Sequence, residues 1–312
     1  MVTQTAPTSR RAWRRTRARE LAAPFGGVVH RRDLRAAGIG RDEVRSELRG
    51  ERWVALGRHT IGIDTALVPE AWPAKAAWAV WETGSGAVLD GVSAMLAAGL
   101  ENFTEEQIVV SVPRGTRAVR LPGVRVHSHR VIHAAPVPGL PRMPVEVAVV
   151  NATGWAVSDR QAALIVILAV QQRLTTATRL TEEMNGRRRV RRRQLLREVF
   201  REVAGGVQAL GELDFARLCR QYDVPEPTRQ RLCRGPRGRI YLDVWWEEFR
   251  VGVEIDGVQH RQGLAPVEDA LRDNEVRLRG GPVLRIPSLG LLTDPGGFMR
   301  QVRELVAHRK VT

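Results

Sequence analysis

Residues 241–260 constrain the fold of this chain more than any other stretch. Two runs in which apolar and polar residues alternate, at 240–246 and 251–256, flank a short polar break. Alternation with a period of two is typical of strands that are buried on one face, and two such runs around a short break predict a β-hairpin. A chain that contains this hairpin must form a sheet with one face in a core and the other face polar.

The polar face of the predicted hairpin carries carboxylates. Pairing Trp246 with Val251 across the four-residue loop places Asp243 directly opposite Glu254, and Asp256 on the same face as Glu254. Like charges directly opposite each other destabilise a sheet, whereas a divalent cation would favour the clustering. The pattern therefore predicts a Mg²⁺ site at Asp243 and Glu254, suited to metal-assisted phosphodiester hydrolysis. The alternative is an exposed hairpin face that is simply acidic.

Two residues near the end of the hairpin could complete this site. Asp256 could be a third ligand, could accept a hydrogen bond from His260, or could be a turn residue before Gly257, because Asp-Gly is a common turn pair. His260 could be a general base, directly or through water, or a structural histidine. The sequence leaves these alternatives open.

The composition indicates a polyanionic partner. The 312 residues are enough for two or three domains, and the chain has a net charge of +15 and a pI near 11.3. Lysine occurs only at Lys75 and Lys310, so arginine carries almost all of the positive charge. The excess of basic over acidic residues predicts DNA as the partner, although RNA would satisfy the same charge.

The sequence also predicts a cytoplasmic protein without a membrane segment. The two cysteines, Cys219 and Cys233, form no metal-binding motif and are expected to be reduced thiols. The arginine-rich N-terminus has no apolar segment typical of a secretory signal. The longest apolar run, 162–170, is too short to span a bilayer and predicts a buried helix.

The pattern along the chain predicts an α+β multidomain protein. Residues 1–9 are expected to be a disordered tail, and 10–63 have the order helix, glycine turn, helix and hairpin that is typical of a winged helix-turn-helix. A middle α/β segment follows at 64–150, and a helical connector with an arginine block at 151–206. The glycine pair at its end marks the start of a final domain, 207–312.

Arginines in the predicted winged helix-turn-helix are candidates for DNA contact. Arg41, Arg45 and Arg49 follow one another at i, i+4 and i+8 on the second helix, which places their guanidinium groups in one stripe. The alternative is a solvated helix face, because acidic residues are interleaved with them. Arg58 lies where the tip of a wing is expected, which suits a minor-groove or backbone contact.

Further arginines are candidates for contact with phosphate. The block at 187–193, with Arg188 and Arg192 as candidates, would attract any duplex without reading its sequence, or else is a solvated linker. Arg272 could contact phosphate, or could form salt bridges on a solvated helix face.

The last hundred residues resemble the PD-(D/E)XK nuclease fold, and within it the very-short-patch-repair-like endonuclease domains. The match is carried by five short motifs: Gly211-Glu-Leu-Asp-Phe215, Tyr241-Leu-Asp-Val244, Val253-Glu-Ile-Asp-Gly257 with His260, Leu271-Arg-Asp-Asn-Glu275 and Val283-Leu-Arg-Ile286. The resemblance implies a restriction-endonuclease-like α/β/α domain with Mg²⁺ as cofactor and DNA as substrate. It also implies that Glu212 completes the site from the first helix of the domain; the alternative is an ordinary solvated glutamate.

One residue departs from the pattern of that family. Asp256 occupies the position of the lysine that helps to place the attacking water and to stabilise the charge of the transition state. His260 or Arg272 are the candidates to replace it. Metal binding is still expected despite this departure. The departure also supports a second hypothesis, in which the domain no longer catalyses cleavage.

The first 150 residues resemble the AbiEi-type antitoxins of type IV toxin–antitoxin systems. The resemblance is carried by Gly27-Val-Val-His-Arg-Arg-Asp-Leu34 and Trp53-Val-Ala-Leu-Gly-Arg58. Together the two resemblances imply a DNA-binding, Mg²⁺-dependent endonuclease linked to a toxin–antitoxin locus or to phage defence. The alternative is a catalytically silent transcriptional repressor or antitoxin, and a third is an adaptor whose arginine block binds an acidic protein. The sequence does not determine the oligomeric state.

Overall fold

The structure, a computed structural model, describes residues 9–63, 71–205, 215–234, 240–256, 265–278 and 283–308. Within these residues the chain has a mixed α+β fold of helices and three small sheets. It divides into two compact units, Met1–Ala98 with Asn102–Pro144, and Gly99–Glu101 with Val145–Thr312. Within the described residues, no helix is long and apolar enough to cross a lipid bilayer.

The first unit begins with a small helical bundle closed by a hairpin. Its elements are α1 (Arg10–Ala22), β1 (Val28–His30), α2 (Arg31–Ala36), α3 (Arg41–Arg49), β2 (Val54–Ala55) and β3 (Thr60–Gly62). The strands form an antiparallel sheet of order β1-β3-β2. Leu34, Ile39 and Ile61 are fully or almost fully buried between the helices and the sheet. This apolar core fixes which faces of α2 and α3 are turned outward.

The rest of the first unit is a helix followed by a second sheet. Its elements are α4 (Trp72–Thr83), β4 (Val88–Leu89), α5 (Gly91–Ala97), β5 (Ile108–Pro113) and β6 (Val124–His129). The strand order is β4-β5-β6, with β4 antiparallel and β6 parallel to β5. α4 packs both on β1 and β3 and on this second sheet, so it joins the two halves of the unit.

The second unit opens with four helices: α6 (Val145–Trp155), α7 (Asp159–Gln171), α8 (Ala177–Asn185) and α9 (Arg193–Gly205). The apolar run predicted to be a buried helix lies in α7, where Ile165 and Ile167 are almost completely excluded from solvent. Leu180 and Met184 of α8 are buried as well. These helices pack on one another, and α7 and α9 also pack on the later segment Ser288–Thr293.

The same unit ends in a four-stranded sheet with helices. Its elements are α10 (Phe215–Gln221), β7 (Arg229–Arg234), β8 (Ile240–Trp246), β9 (Val251–Asp256), α11 (Ala265–Arg277), β10 (Val283–Pro287), α12 (Ser288–Thr293) and α13 (Pro295–His308). The strand order is β10-β9-β8-β7, and β10 runs parallel to β9 while the other pairs are antiparallel. Apolar residues of β8, β9 and β10 are buried on one face of this sheet.

An asparagine of α11 closes the outer edge of β10. The side-chain amide of Asn274 donates to the carbonyl oxygen of Arg285 at 2.9 Å, and its oxygen accepts the backbone N–H of Arg285 at 3.1 Å. Asn274 is fully buried, and Gln301 of α13 accepts a second hydrogen bond from its amide at 3.2 Å. The side chain thus takes the place that a further strand would occupy, and buried backbone groups are left with partners.

Candidate nucleic-acid interface and carboxylate pair

The hairpin of β8 and β9 has the register expected from the sequence. Trp246 pairs with Val251 and Asp243 lies directly opposite Glu254, so this prediction is confirmed. Val253, fully buried, points to the core side, whereas the two carboxylates are about one quarter exposed. The carboxylate pair is therefore within reach of solvent and of a ligand.

Arginines on both sides of the carboxylate pair offset the repulsion between its charges. Nη2 of Arg229 lies 3.1 Å from Oδ2 of Asp243, and Nε of Arg285 lies 3.2 Å from Oε2 of Glu254. Arg231 also neighbours Asp243 on the adjoining strand, so the two carboxylates of the inner strands lie between arginines of the two edge strands. Pairing with arginine thus gives a reason for the cluster that does not require a metal ion.

The remaining candidates for the metal site are spread around the pair. Asp256 lies opposite Tyr241, two residues along β9 from Glu254 and on the same face. Glu212 and His260 lie outside the described residues. Among the residues that are described, no group of three or more His, Cys, Asp or Glu side chains is placed to hold a metal ion. Asp243 and Glu254 are hard oxygen donors, and Mg²⁺ is commonly held by one or two carboxylates and water, so the pair fits this ion.

The outer face of α3 is a stripe of exposed arginines. Arg41, Arg45 and Arg49 are all exposed. Arg45 makes a weak, exposed ion pair with Asp42 at 3.3 Å, whereas Arg41 and Arg49 have no ion-pair partner within the part of the chain that the structure describes. The three positive charges therefore remain available on one side of the helix.

The two glutamates of α3 point the other way, towards α1. Oε1 of Glu43 lies 3.0 Å from Nε of Arg10, and the side chain of Glu47 is completely buried. Hydrogen bonding to Arg10 lowers the pKa of Glu43. The two glutamates are thus already paired on the inner face, and Asp42, which is exposed, is the acidic residue of α3 that remains beside the arginine stripe.

Three arginines converge on the buried Glu47. Arg14 donates to Oε1, while Arg15 and Arg52 lie 3.3 Å and 2.5 Å from Oε2. Burial alone would raise the pKa of Glu47, but hydrogen bonds from Arg52 and Arg14 outweigh it and lower the pKa to about 2. The carboxylate is therefore ionised and ties α1 and the turn after α3 to the inner face of α3.

The other arginine candidates have different surroundings. Arg58 is exposed at the tip of the β2–β3 hairpin, and Arg188 is exposed before α9. Arg192 is turned inward instead: its guanidinium donates to Asp159 at 2.6 Å and to the carbonyl oxygens of Thr153 and Ala156. Arg192 is therefore not part of the interface, because its N–H groups are already hydrogen-bonded to Asp159 and to carbonyl oxygens at the end of α6. The backbone of Arg272 lies in α11, but its side chain is outside the described residues.

A buried aspartate joins the strands of the second sheet in the first unit. Asp90, fully buried, accepts hydrogen bonds from the Ser111 hydroxyl and the Gly91 N–H, each at 2.6 Å. Nε2 of His129 lies 3.3 Å from the same oxygen that Ser111 contacts. Burial lowers the pKa of the neighbouring His127. Because the serine donates to the aspartate rather than to a histidine, the cluster does not have the order of a nucleophilic triad.

Comparison with known proteins gives no family match and a weak structural similarity. No family model matches it, and no curated protein matches it. The crystal structure of the RV2827C protein from Mycobacterium tuberculosis is similar over 62% of this chain and 74% of that chain, with 20% sequence identity and a TM-score of 0.34. A similarity at this level carries no argument about fold or function.

Proposed function

We propose that this protein binds duplex DNA through α3 and the β2–β3 hairpin, acting as a winged helix-turn-helix. The element order of α1 to β3, with a hairpin after the second of two adjacent helices, is the order of that motif. The observation that carries the proposal is the division of charge on α3, with its arginines exposed and its two glutamates paired inward.

The arginine stripe suits the geometry of a major groove. Eight residues separate Arg41 from Arg49, which is about 12 Å along a helix at 1.5 Å per residue. A groove about 12 Å wide admits a helix and brings phosphates to both of its sides. Guanidinium groups spaced in this way can contact phosphates and guanine edges. Arg58 and Arg188, together with the net charge of +15, add attraction that does not depend on sequence.

Removing the stripe should weaken DNA binding and its dependence on salt. The slope of log K against log salt is negative, and each phosphate contact adds about 0.9 to its magnitude. In the variant Arg41→Ala/Arg45→Ala/Arg49→Ala, we therefore expect the magnitude of the slope to decrease by about 2–3. The matched control is Arg11→Ala/Arg17→Ala/Arg19→Ala, which removes three exposed arginines from α1. Fluorescence anisotropy with a short duplex, titrated at several salt concentrations, measures both slopes.

The control decides whether the stripe or the total charge is responsible. Both variants lose three positive charges, so a contact made by α3 should change the slope in the first variant and leave it nearly unchanged in the second. Equal losses in the two variants would show that binding depends on total charge, which would contradict the proposed interface.

The second candidate function is Mg²⁺-dependent cleavage of DNA by the C-terminal domain. It is favoured by the position of Asp243 opposite Glu254 on a solvent-accessible sheet face. Bound Mg²⁺ would polarise the scissile phosphate and acidify a water molecule. Glu212, Asp256 and His260 remain the candidates to complete the site. Without turnover, the same chain would act as a repressor of the AbiEi type, and a neighbouring toxin locus would be its target.

Plasmid nicking distinguishes cleavage from binding alone. With Mg²⁺ or Mn²⁺ we expect the wild type to nick supercoiled DNA and Asp243→Asn to be at least about 100-fold slower, because a metal ion contributes several kcal/mol to the transition state. Glu247→Gln, which changes an exposed carboxylate in the turn of the same hairpin, should retain the activity. Equal nicking by the wild type and Asp243→Asn would exclude this site, and no nicking by the wild type would favour the repressor.

A further inference from the structure

The β2–β3 hairpin has little pairing of its own. Two residue pairs join its strands, Val54 with Gly62 and Ala55 with Ile61, and the backbone N–H of Leu56 donates to the carbonyl oxygen of Thr60 at 3.1 Å. Such a short hairpin is marginal in isolation, because few cross-strand contacts oppose the entropy of the loop. Other groups must therefore hold the tip, which is the part that carries Arg58.

A carboxylate from α4 binds the backbone of this tip. Oε2 of Glu82 accepts the backbone N–H of Arg58 at 2.8 Å. Oε1 accepts the backbone N–H of His59, the backbone N–H of Thr60 and the Thr60 hydroxyl, each at 2.7 Å. Four donors from three consecutive residues thus surround one carboxylate. Hydrogen bonds to an ionised acceptor are stronger than neutral ones.

Two further features of the hairpin fit this arrangement. The indole N–H of Trp78, one turn before Glu82 on α4, donates to the carbonyl oxygen of Leu56 at 2.9 Å. A Cβ at Gly57 would lie 2.4 Å from the carboxyl carbon of Glu82, so the residue before Arg58 must lack a side chain for the carboxylate to approach. α4 therefore holds the hairpin on both sides of Gly57.

We propose that Glu82 is a positioning residue for DNA binding: it fixes the backbone of the hairpin tip so that Arg58 is presented to the DNA backbone. The inference rests on the proposed function. Because the peptide at Arg58 is held in one place before DNA arrives, less conformational freedom is lost when its guanidinium contacts a phosphate. Glu82 acts through Arg58 and makes no contact with DNA itself.

The charge of Glu82 makes the proposal testable against simple electrostatics. Removing a carboxylate near a DNA-binding surface should strengthen binding if charge alone matters. The positioning role predicts the reverse, a loss of about three- to tenfold in affinity for Glu82→Gln, equivalent to one side chain that is no longer preorganised. In the background of Arg58→Ala, Glu82→Gln should cause no further loss, because the residue through which it acts is gone.

Gly57→Ala provides a second variant that keeps every charge. The added methyl group should displace the Glu82 carboxylate and reduce affinity by a similar factor. Gly62→Ala is its matched control, since a Cβ there meets the Leu56 side chain at 3.5 Å, an ordinary contact. Both glycine variants are read together with circular dichroism, so that a folding defect is recognised.

The experiment combines duplex binding with amide hydrogen exchange at residues 58–60. We expect Glu82→Gln and Gly57→Ala to exchange faster at these amides and to bind DNA more weakly, with Gly62→Ala unchanged. The positioning role of Glu82 would be overturned if Glu82→Gln bound DNA as tightly as the wild type or more tightly. It would also be overturned if Glu82→Gln caused the same loss of affinity in the Arg58→Ala background as in the wild type. Either result would leave the proposed DNA binding itself intact. Absence of DNA binding by the wild type would overturn the proposed function and this inference together.

Discussion

Replacing Glu47 with alanine is expected to lower the free energy of unfolding of the first unit by about 3–5 kcal/mol, the usual cost of removing one partner from a buried ion pair. Glu47 is completely buried, and Arg14, which donates to it, is itself nearly buried. Without the carboxylate, the nearly buried charge of Arg14 would keep only its longer contact with Glu43, at 3.5 Å. Urea unfolding, with hydrogen exchange followed in α1 and α3, measures the loss where it occurs.

The matched control for Glu47 is a surface glutamate of the same unit. Glu20 pairs with Arg17 at 2.8 Å, but both side chains are about half exposed. Exposed pairs of this kind contribute less than about 1 kcal/mol, so Glu20→Ala should change stability little. If Glu47→Ala were no more destabilising than Glu20→Ala, the buried cluster would not be what holds α3 against α1.

The same cluster predicts how stability depends on pH. The pKa of Glu47 is about 2 in the folded chain, below its ordinary value of 4.5. A carboxylate with a lowered pKa stabilises the fold above its unfolded pKa, and this contribution disappears as the pH falls through the folded pKa. The first unit should therefore lose stability between about pH 5 and pH 2. The Glu47→Gln variant should show a smaller loss over this range.

Replacing Trp246 with alanine is expected to destabilise the four-stranded sheet by about 3–5 kcal/mol, the range for large aromatic residues in a core. Its side chain is 1% exposed, and its ring meets the ring of Phe215 edge to face at 6.2 Å between centroids. The indole N–H donates to the carbonyl oxygen of Pro225 at 2.8 Å. Alanine would leave a cavity and an acceptor without its donor.

The adjacent tryptophan is a close control for Trp246. Trp245 lies on the opposite face of β8, where it is half buried and covers Gly252 of the neighbouring strand. Trp245→Ala should therefore cost clearly less than Trp246→Ala in urea unfolding, although both remove the same side chain. Equal effects would mean that the two faces of the sheet are not divided into a core side and a polar side.

The elements that the sequence predicts well are those whose pattern is local. The register of the β8–β9 hairpin follows from its alternation and its loop length, because a shift of one residue would move Val253 out of the core. The helical stripe of α3 follows in the same way from the spacing of its arginines. Both patterns depend on residues that are close together in the chain.

The partners of charged residues could not be predicted in this way. Periodicity assigns Glu47 to a helix, but its partner Arg14 lies 33 residues earlier and belongs to another helix. Arg192 looked like a surface charge, yet it binds backbone carbonyls more than 30 residues away. Glu82 is an ordinary helical glutamate in the sequence, and only the approach of α4 to the hairpin brings it to Arg58. The sequence does not show which way a charged side chain points, because the tertiary structure determines the residue with which it pairs.

The side-chain amide of Asn274 also bears on whether another chain can add to this sheet. An edge strand with unpaired peptide groups is a template onto which another chain can add. Asn274 occupies both peptide groups of Arg285, and two residues further along the same edge Pro287 has no N–H to offer. Among the described strands, β7 is the other edge of the sheet, and a further strand could add there. If a second copy paired there through its own β7, the two outer edges of the joined sheet would both be β10 strands blocked by Asn274. The sheet would then stop growing at a dimer instead of continuing into a fibre.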